Sequence, residues 1–284
     1  MRFRCVAKSF RPDALAAAAA IGLTLLALTV AAPSRAGAAD DGVDLQLVLA
    51  ADVSRSIDNE KFALQRDGYA SAMVDPRVLE AIRSGGHSRI AVSMVEWSGN
   101  ESQKVVVDWT IVSDVDSGRA VSEKILRAPR AFADRTSISS GIDFAMERFA
   151  SAPGKVSRRV IDISGDGTNN AGRDVTKARD EALATGVTIN GLVILSEDNN
   201  MPWNPTHTHP PGGLEKYYKD HVVGGPGAFV IVAKDFNSFG QAIVNKLVAE
   251  IALGRPDPAR LAMNSFMNSF INRSANPALR RAAR

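Results

Sequence analysis

Beyond residue 43, runs of apolar residues alternate with stretches whose apolar positions recur at helical spacing. Residues 45–51 (Leu-Gln-Leu-Val-Leu-Ala-Ala) form an apolar run bounded by polar residues, the pattern of a strand covered on both faces. Asp58 stands where a helix N-cap belongs, and Phe62, Tyr69 and Met73 share one face of the helix that follows. Asp75-Pro76, a cap and then a proline at the first helical position, starts a short second helix. Residues 89–97 and 104–110 read as strands, and the turn-like Ser98-Gly99-Asn100-Glu101-Ser102 between them predicts an antiparallel hairpin. Helices are expected over 116–128 and 138–150, a second buried strand over 159–164, and a helix over 174–184 closed by Gly186. An apolar strand at 187–195 leads into a loop at 196–213 rich in Pro, Asn and His. The segment 214–221 and a short strand at 228–233 precede a helix over 235–252, with Phe236, Phe239, Ile243, Leu247 and Ile251 three and four residues apart. Strands alternating with helices predict an α/β fold: a doubly wound, mostly parallel central sheet with one antiparallel edge strand and helices on both faces.

The two ends of the chain fall outside this pattern. Residues 1–39 have a basic head (Arg2, Arg4, Lys8, Arg11), an apolar run over 14–32 and small residues in an Ala-x-Ala arrangement at 36–38, the layout of a secretory signal peptide. An uncleaved membrane anchor is the alternative, since the run is almost long enough to span a bilayer. The expectation is a protein exported to the periplasm or secreted, with no membrane span once the leader is removed. Residues 40–253 form the folded domain. Residues 254–284 are a tail in which Met-Asn-Ser-Phe occurs twice; if helical, Met263, Phe266, Met267, Phe270 and Ile271 make one apolar face, suited to docking or to folding back on the domain.

Removing the leader changes the charge argument. It carries five of the 34 Lys and Arg and one of the 31 Asp and Glu, so the formal +3 becomes 29 basic against 30 acidic residues. A nucleic-acid partner therefore has no electrostatic support. The single cysteine, Cys5, leaves with the leader, which removes disulfide and thiol chemistry.

Candidate chemistry sits where the strands end. The first strand runs into Asp52-Val53-Ser54-Arg55-Ser56, the 159–164 strand into Gly165-Asp166-Gly167, and Thr136 occupies the loop before the 138–150 helix. Asp52, Ser54, Ser56, Thr136 and Asp166 would lie at the carboxyl edge of one sheet, where ligands gather in open α/β folds. Their donors are all oxygen, as hard cations such as Mg²⁺ require. Read alone, Asp-x-Ser-x-Ser would pass for an ordinary turn.

Together these motifs resemble the von Willebrand factor type A (vWA) domain over roughly residues 43–252. In that Rossmann-like family a metal-ion-dependent adhesion site combines Asp-x-Ser-x-Ser, a loop threonine and a strand-end aspartate. Thr136-Ser137-Ile138-Ser139-Ser140-Gly141 also has the family's spacing from threonine to glycine. The resemblance implies that Ser54, Ser56 and Thr136 bind Mg²⁺ (or Mn²⁺) directly, with Asp52 and Asp166 acting mainly through waters. It also implies that an Asp or Glu of a partner protein completes the octahedron. Ser164-Gly165 departs from the family, which usually shows a hydrophobic residue and Thr before the aspartate. Residues 217–229 are similar to a group of exported bacterial vWA-like proteins with no assigned activity.

Other readings compete with a binding module. Asp52 and Asp166 could serve a metal-dependent phosphoryl-transfer or hydrolytic enzyme, although the sequence nominates neither a base nor a substrate pocket. Alternatively, the metal site could be purely structural. Ser164-Gly165-Asp166-Gly167-Thr168-Asn169-Asn170 resembles the Gly-Gly-Asp-Gly-Thr-x-Asn loop of lipid and NAD kinases but lacks its first glycine. No Gly-x-Ser-x-Gly elbow is present to support a Ser-His-Asp hydrolase. His207-Thr208-His209 offers half a transition-metal site, and a solvated surface loop is the expectation there. Trp97, Trp109 and Trp203 are assigned to packing.

Overall fold

The first strand, β1 (Gln46–Asp52), is buried at every position. The structure, a computed structural model, describes residues 41–195 and 204–253; the leader, the tail and Trp203 lie outside them. Alternate β1 side chains serve two cores. Leu47, Leu49 and Ala51 face one hydrophobic cluster, and Val48 and Ala50 face another. This is the arrangement of a central strand with layers on both sides.

Helices α1 (Asn59–Ala72) and α2 (Pro76–Arg83) follow β1, capped by Asp58 and Asp75 as their sequences predict. Strands β2 (Ile90–Trp97) and β3 (Gln103–Val112) pair antiparallel. Next come α3 (Val115–Arg127), α4 (Ile138–Arg148), β4 (Arg159–Gly165), α5 (Val175–Ala184) and β5 (Val187–Ile194). The connection to β6 (Val230–Ala233) holds two four-residue helices, α6 (Pro205–Thr208) and α7 (Leu214–Tyr217), and a π-helical turn over Tyr218–Val222. Helix α8 (Phe239–Ala252) closes the described fold.

Among the described residues the sheet is six-stranded, in the order β3-β2-β1-β4-β5-β6. The β2–β3 pair is antiparallel and the other four pairs are parallel. One core packs α1, α2, α3 and α8 against the sheet; the other packs α4, α5 and the 214–222 segment against its opposite face. The expected α/β architecture with an antiparallel edge strand is therefore present. Strand β3 extends past the expected 104–110 at both ends, where hairpin pairing with β2 brings Gln103 opposite Trp97 and Ile111 and Val112 opposite Ala91 and Ile90.

Trp97 is fully buried, and Trp109 is half-buried against Phe149, with its indole N–H donating to the Arg148 carbonyl (2.9 Å). No helix among the described residues is long and apolar enough to cross a membrane.

Candidate metal centre

Strands β1 and β4 lie side by side, yet β1 is followed by strands on one side of it and β4 by strands on the other. That reversal opens a crevice at their carboxyl ends. Asp52 ends β1, and Asp166 follows β4. Ser54 and Ser56 lie in the β1–α1 loop, and Thr136 precedes α4 by two residues. All five are buried, none more than 8% exposed.

Local contacts fix the loop bearing Asp-x-Ser-x-Ser. The Ser54 N–H donates to Asp52 Oδ1 at 2.7 Å, bending the chain back over the strand end. One nitrogen of Arg130 donates to the carbonyls of Val53 (2.8 Å), Ser54 (3.0 Å) and Ile57 (2.6 Å), so a single guanidinium ties down the whole turn. The Arg55 N–H donates to the Asp134 carbonyl (2.8 Å), joining this turn to the Thr136 loop. Ser54 Oγ and Ser56 Oγ stand 3.1 Å apart, and Ser56 Oγ donates to Asp166 Oδ1 at 2.6 Å. The Ser56 hydroxyl proton is thereby spent on a carboxylate, which leaves oxygen lone pairs for a cation.

Thr136 is held by the loop that follows Asp166. Its N–H donates to Asn170 Oδ1 (2.9 Å), and its carbonyl accepts the N–H groups of Asn170 (2.8 Å) and Ala171 (3.2 Å). Asn169 Oδ1 accepts the Ser139 N–H (3.1 Å) in the first turn of α4, whose N-cap is Ser137. Gly141 packs face-on to Trp97: a Cβ there would stand 2.9 Å from the indole. In the loop that resembles the kinase motif, Asn170 thus binds the Thr136 backbone and Asn169 the first turn of α4.

The electrostatics suit a cation. Burial, reinforced by the charge of Asp166, pushes the Asp52 carboxyl up to about 8 despite hydrogen bonds from Ser54. Asp52 Oδ2 is buried with no hydrogen-bond partner. Beside it lies the hydroxyl of Tyr218, also buried and unpartnered: a Cβ at Gly165 would stand 2.5 Å from Tyr218 Oη and 3.0 Å from Asp52 Oδ2. This close approach explains why glycine occupies the position before Asp166, where the resemblance had led one to expect Thr. Among the described residues no three of His, Cys, Asp and Glu cluster as a metal site. The candidate centre consists instead of two carboxylates and three hydroxyls, an all-oxygen set that fits a hard divalent ion.

Several residues join the site that the sequence did not place there. His207, expected in a solvated loop, is only 2% exposed, and its ring contacts Thr136, Thr168 and Asn170. Burial lowers its basicity. His209, by contrast, is exposed and does not join it. Tyr217 Oη accepts the Asn169 N–H at 3.1 Å. The run of Thr and Asn after Asp166-Gly167 and the His207-Thr208-His209 pair are the sequence signals for this network. A cavity of about 370 Å³, lined by Arg158, Arg159, Thr188 and Asn190 among others, opens at the opposite sheet edge and touches none of the five predicted residues.

A mostly parallel sheet with this strand order, carrying Asp52, Ser54, Ser56, Thr136 and Asp166 at the strand ends and in the loops of its switch point, defines a vWA-like domain. The chain belongs to the DUF1194 family, whose model, described as a protein of unknown function, matches residues 42–254. Solved structures agree on the fold. The pilus adhesin SpaC of Lactobacillus rhamnosus GG is similar at TM-score 0.53 and 12% identity, over 74% of this chain and 31% of that one. Proximal thread matrix protein 1 from the mussel byssus is similar at TM-score 0.51 and 14% identity, over 75% and 47%. A von Willebrand factor type A protein from Catenulispora acidiphila is similar at TM-score 0.50 and 15% identity, over 75% and 43%. The chain thus spans less than half the length of each of these proteins. No curated protein sequence matches it.

Proposed function

We propose that this protein is an exported, divalent-metal-dependent protein-binding module. In this reading Asp52, Ser54, Ser56, Thr136 and Asp166 hold Mg²⁺ or Mn²⁺, and a partner's Asp or Glu completes the coordination. The observation that carries it is the buried carboxylate of Asp52, one oxygen unpartnered, beside Asp166 and the Ser54 and Ser56 hydroxyls, with the buried Thr136 in the adjoining loop. With neutral hydroxyls among its donors the bound ion stays under-neutralised and attracts a further carboxylate. The vWA-like fold, similar to that of a pilus adhesin and a byssal matrix protein, supports adhesion-type binding over catalysis. The leader-like residues 1–39 support export to the periplasm or beyond.

The test is capture of envelope or extracellular proteins on the immobilised protein in Mg²⁺ and in chelator, beside Thr136→Ala. A partner retained only in Mg²⁺, lost with the folded variant, and released by blocking its acidic side chains is the expected result. A partner held equally well in chelator would contradict the proposal. Collapse of the Asp52→Ala variant would favour a structural metal site.

A further inference from the structure

We infer that His207 is a positioning residue for the metal site: its Nε2–H holds the Thr136 hydroxyl in place from the β5–β6 connection. The inference rests on the metal-binding reading above and adds a residue to it. Asn170 fixes the tautomer of the ring. Its Oδ1 accepts the Thr136 N–H at 2.9 Å, so its amide nitrogen is the atom 3.3 Å from His207 Nδ1, and that nitrogen can only donate. Thr168 Oγ1, 3.2 Å from the same ring nitrogen, can donate there too. Nδ1 is therefore the acceptor of a neutral ring, and the ring proton sits on Nε2. Nε2 lies 3.2 Å from Thr136 Oγ1 and donates to it. That bond occupies one lone pair of the hydroxyl and leaves the other for a ligand at the sheet edge.

The ring is itself fixed in place. The His207 N–H donates to the Asn204 carbonyl (3.1 Å), and its carbonyl accepts the Thr168 N–H (2.9 Å). Its edge lies over Gly167, where a Cβ would stand 2.3 Å from both Cε1 and Nε2. Only glycine after Asp166 lets the imidazole reach Thr136. The histidine therefore links the Thr136 loop to the loop of Asp166, two parts of the centre separated by 30 residues of sequence. With its proton on Nε2 and Asn170 donating to Nδ1, the imidazole has no lone pair to offer a metal, so its role is orientation and not ligation.

The test combines the ring's protonation with metal affinity. In metal-free wild type, ¹⁵N NMR should show the Nε2-protonated neutral tautomer of His207; the Nδ1-protonated tautomer would overturn the inference without any variant. Mn²⁺ titration followed by electron paramagnetic resonance should show His207→Ala weakened about 10–100-fold, the usual range for residues that orient a ligand. His207→Gln can place an N–H near the Nε2 position and should stay within roughly threefold of wild type on the same scale. Melts in chelator check that both variants are folded. Unchanged affinity in folded His207→Ala overturns the assignment, as does ¹⁴N coupling from a directly bound imidazole in wild-type Mn²⁺ spectra. Failure of wild type to bind Mn²⁺ or Mg²⁺ at all overturns the metal reading itself, and the role of His207 with it.

Discussion

The molecule buries two pairs of carboxylates near β4, and they are handled differently. Asp162, in the middle of β4, faces α8, where Glu250 and Lys246 are also fully buried. Lys246 Nζ lies 2.7 Å from Asp162 Oδ1 and bonds Glu250, whose other partner is the Asn190 amide (2.9 Å). Four residues further along, Asp166 approaches Asp52 at the sheet edge. The charged group acting on Asp52 is Asp166, another acid. The first pair carries its own cation on a helix; the second has no basic side chain among the groups acting on Asp52. Burial raises both, Asp162 to about 7 and Asp52 to about 8, with Glu250 and Asp166 as the respective like-charged neighbours. Lys246 offsets part of the rise at Asp162. An internal lysine makes the first pair part of the framework, whereas the second, beside hydroxyls in a crevice, is the one the proposed function assigns to a cation.

The comparison breaks most visibly at Lys246. Lys246→Met leaves two carboxylates buried without their cation and should cost about 3–5 kcal/mol. For a domain of this size that is roughly 6–20 °C in Tm. A loss under about 1 kcal/mol would show that the pair does not depend on its lysine. Asp52→Asn should behave oppositely: without metal its Tm stays level or rises near pH 7, because folding no longer has to protonate a buried carboxylate.

A smaller effect follows from pH. The folded pKa of Asp52 lies above its unfolded value near 4, so its stabilising contribution is complete below about pH 4 and is lost as pH rises through about 8. Metal-free stability should therefore decline across that window, by at most about 1.4 kcal/mol per pH unit for one proton. Added Mg²⁺ needs the ionised form, so its stabilisation should grow toward pH 8. Asp52→Asn should remove this growth; a variant that retains it would place the titrating group elsewhere.

The smallest effect is a control remote from both pairs. Asp114 caps α3 in a capping box with Ser117, and Asp114→Ala should cost about 1 kcal/mol by thermal melt with the metal response intact. A change in metal response there would mean that the two regions are not separate.

Much of this contrast was legible in sequence, but unevenly. The buried strands announce themselves as apolar runs, the hairpin through its Gly-Asn turn, and α1 and α2 through Asp58 and Asp75-Pro76. The placing of Asp52, Ser54, Ser56, Thr136 and Asp166 at one sheet edge could be read because strand ends and caps are local features, and three such features in order make a motif. Lys246 and Glu250, four apart on a helix, look like a surface ion pair; only the fold brings them to Asp162. His207 lies in a four-residue helix with no periodicity to betray burial, and its contacts with Thr136 and Thr168 span 71 and 39 residues. Asn169 and Asn170 looked like phosphate-loop residues until the loop they clamp was in view.

The central claim is that the crevice at Asp52 and Asp166 is a divalent-cation site. A thermal-melt titration with Mg²⁺ and Mn²⁺ against chelator, beside Asp52→Ala and Thr136→Ala, tests it directly. Metal at about a hundred times its Kd should stabilise the protein by about 2.7 kcal/mol, an upward shift of about 5–10 °C. Both variants should lose that shift. A shift that survives in both, or no shift with any divalent ion in wild type, would contradict the account.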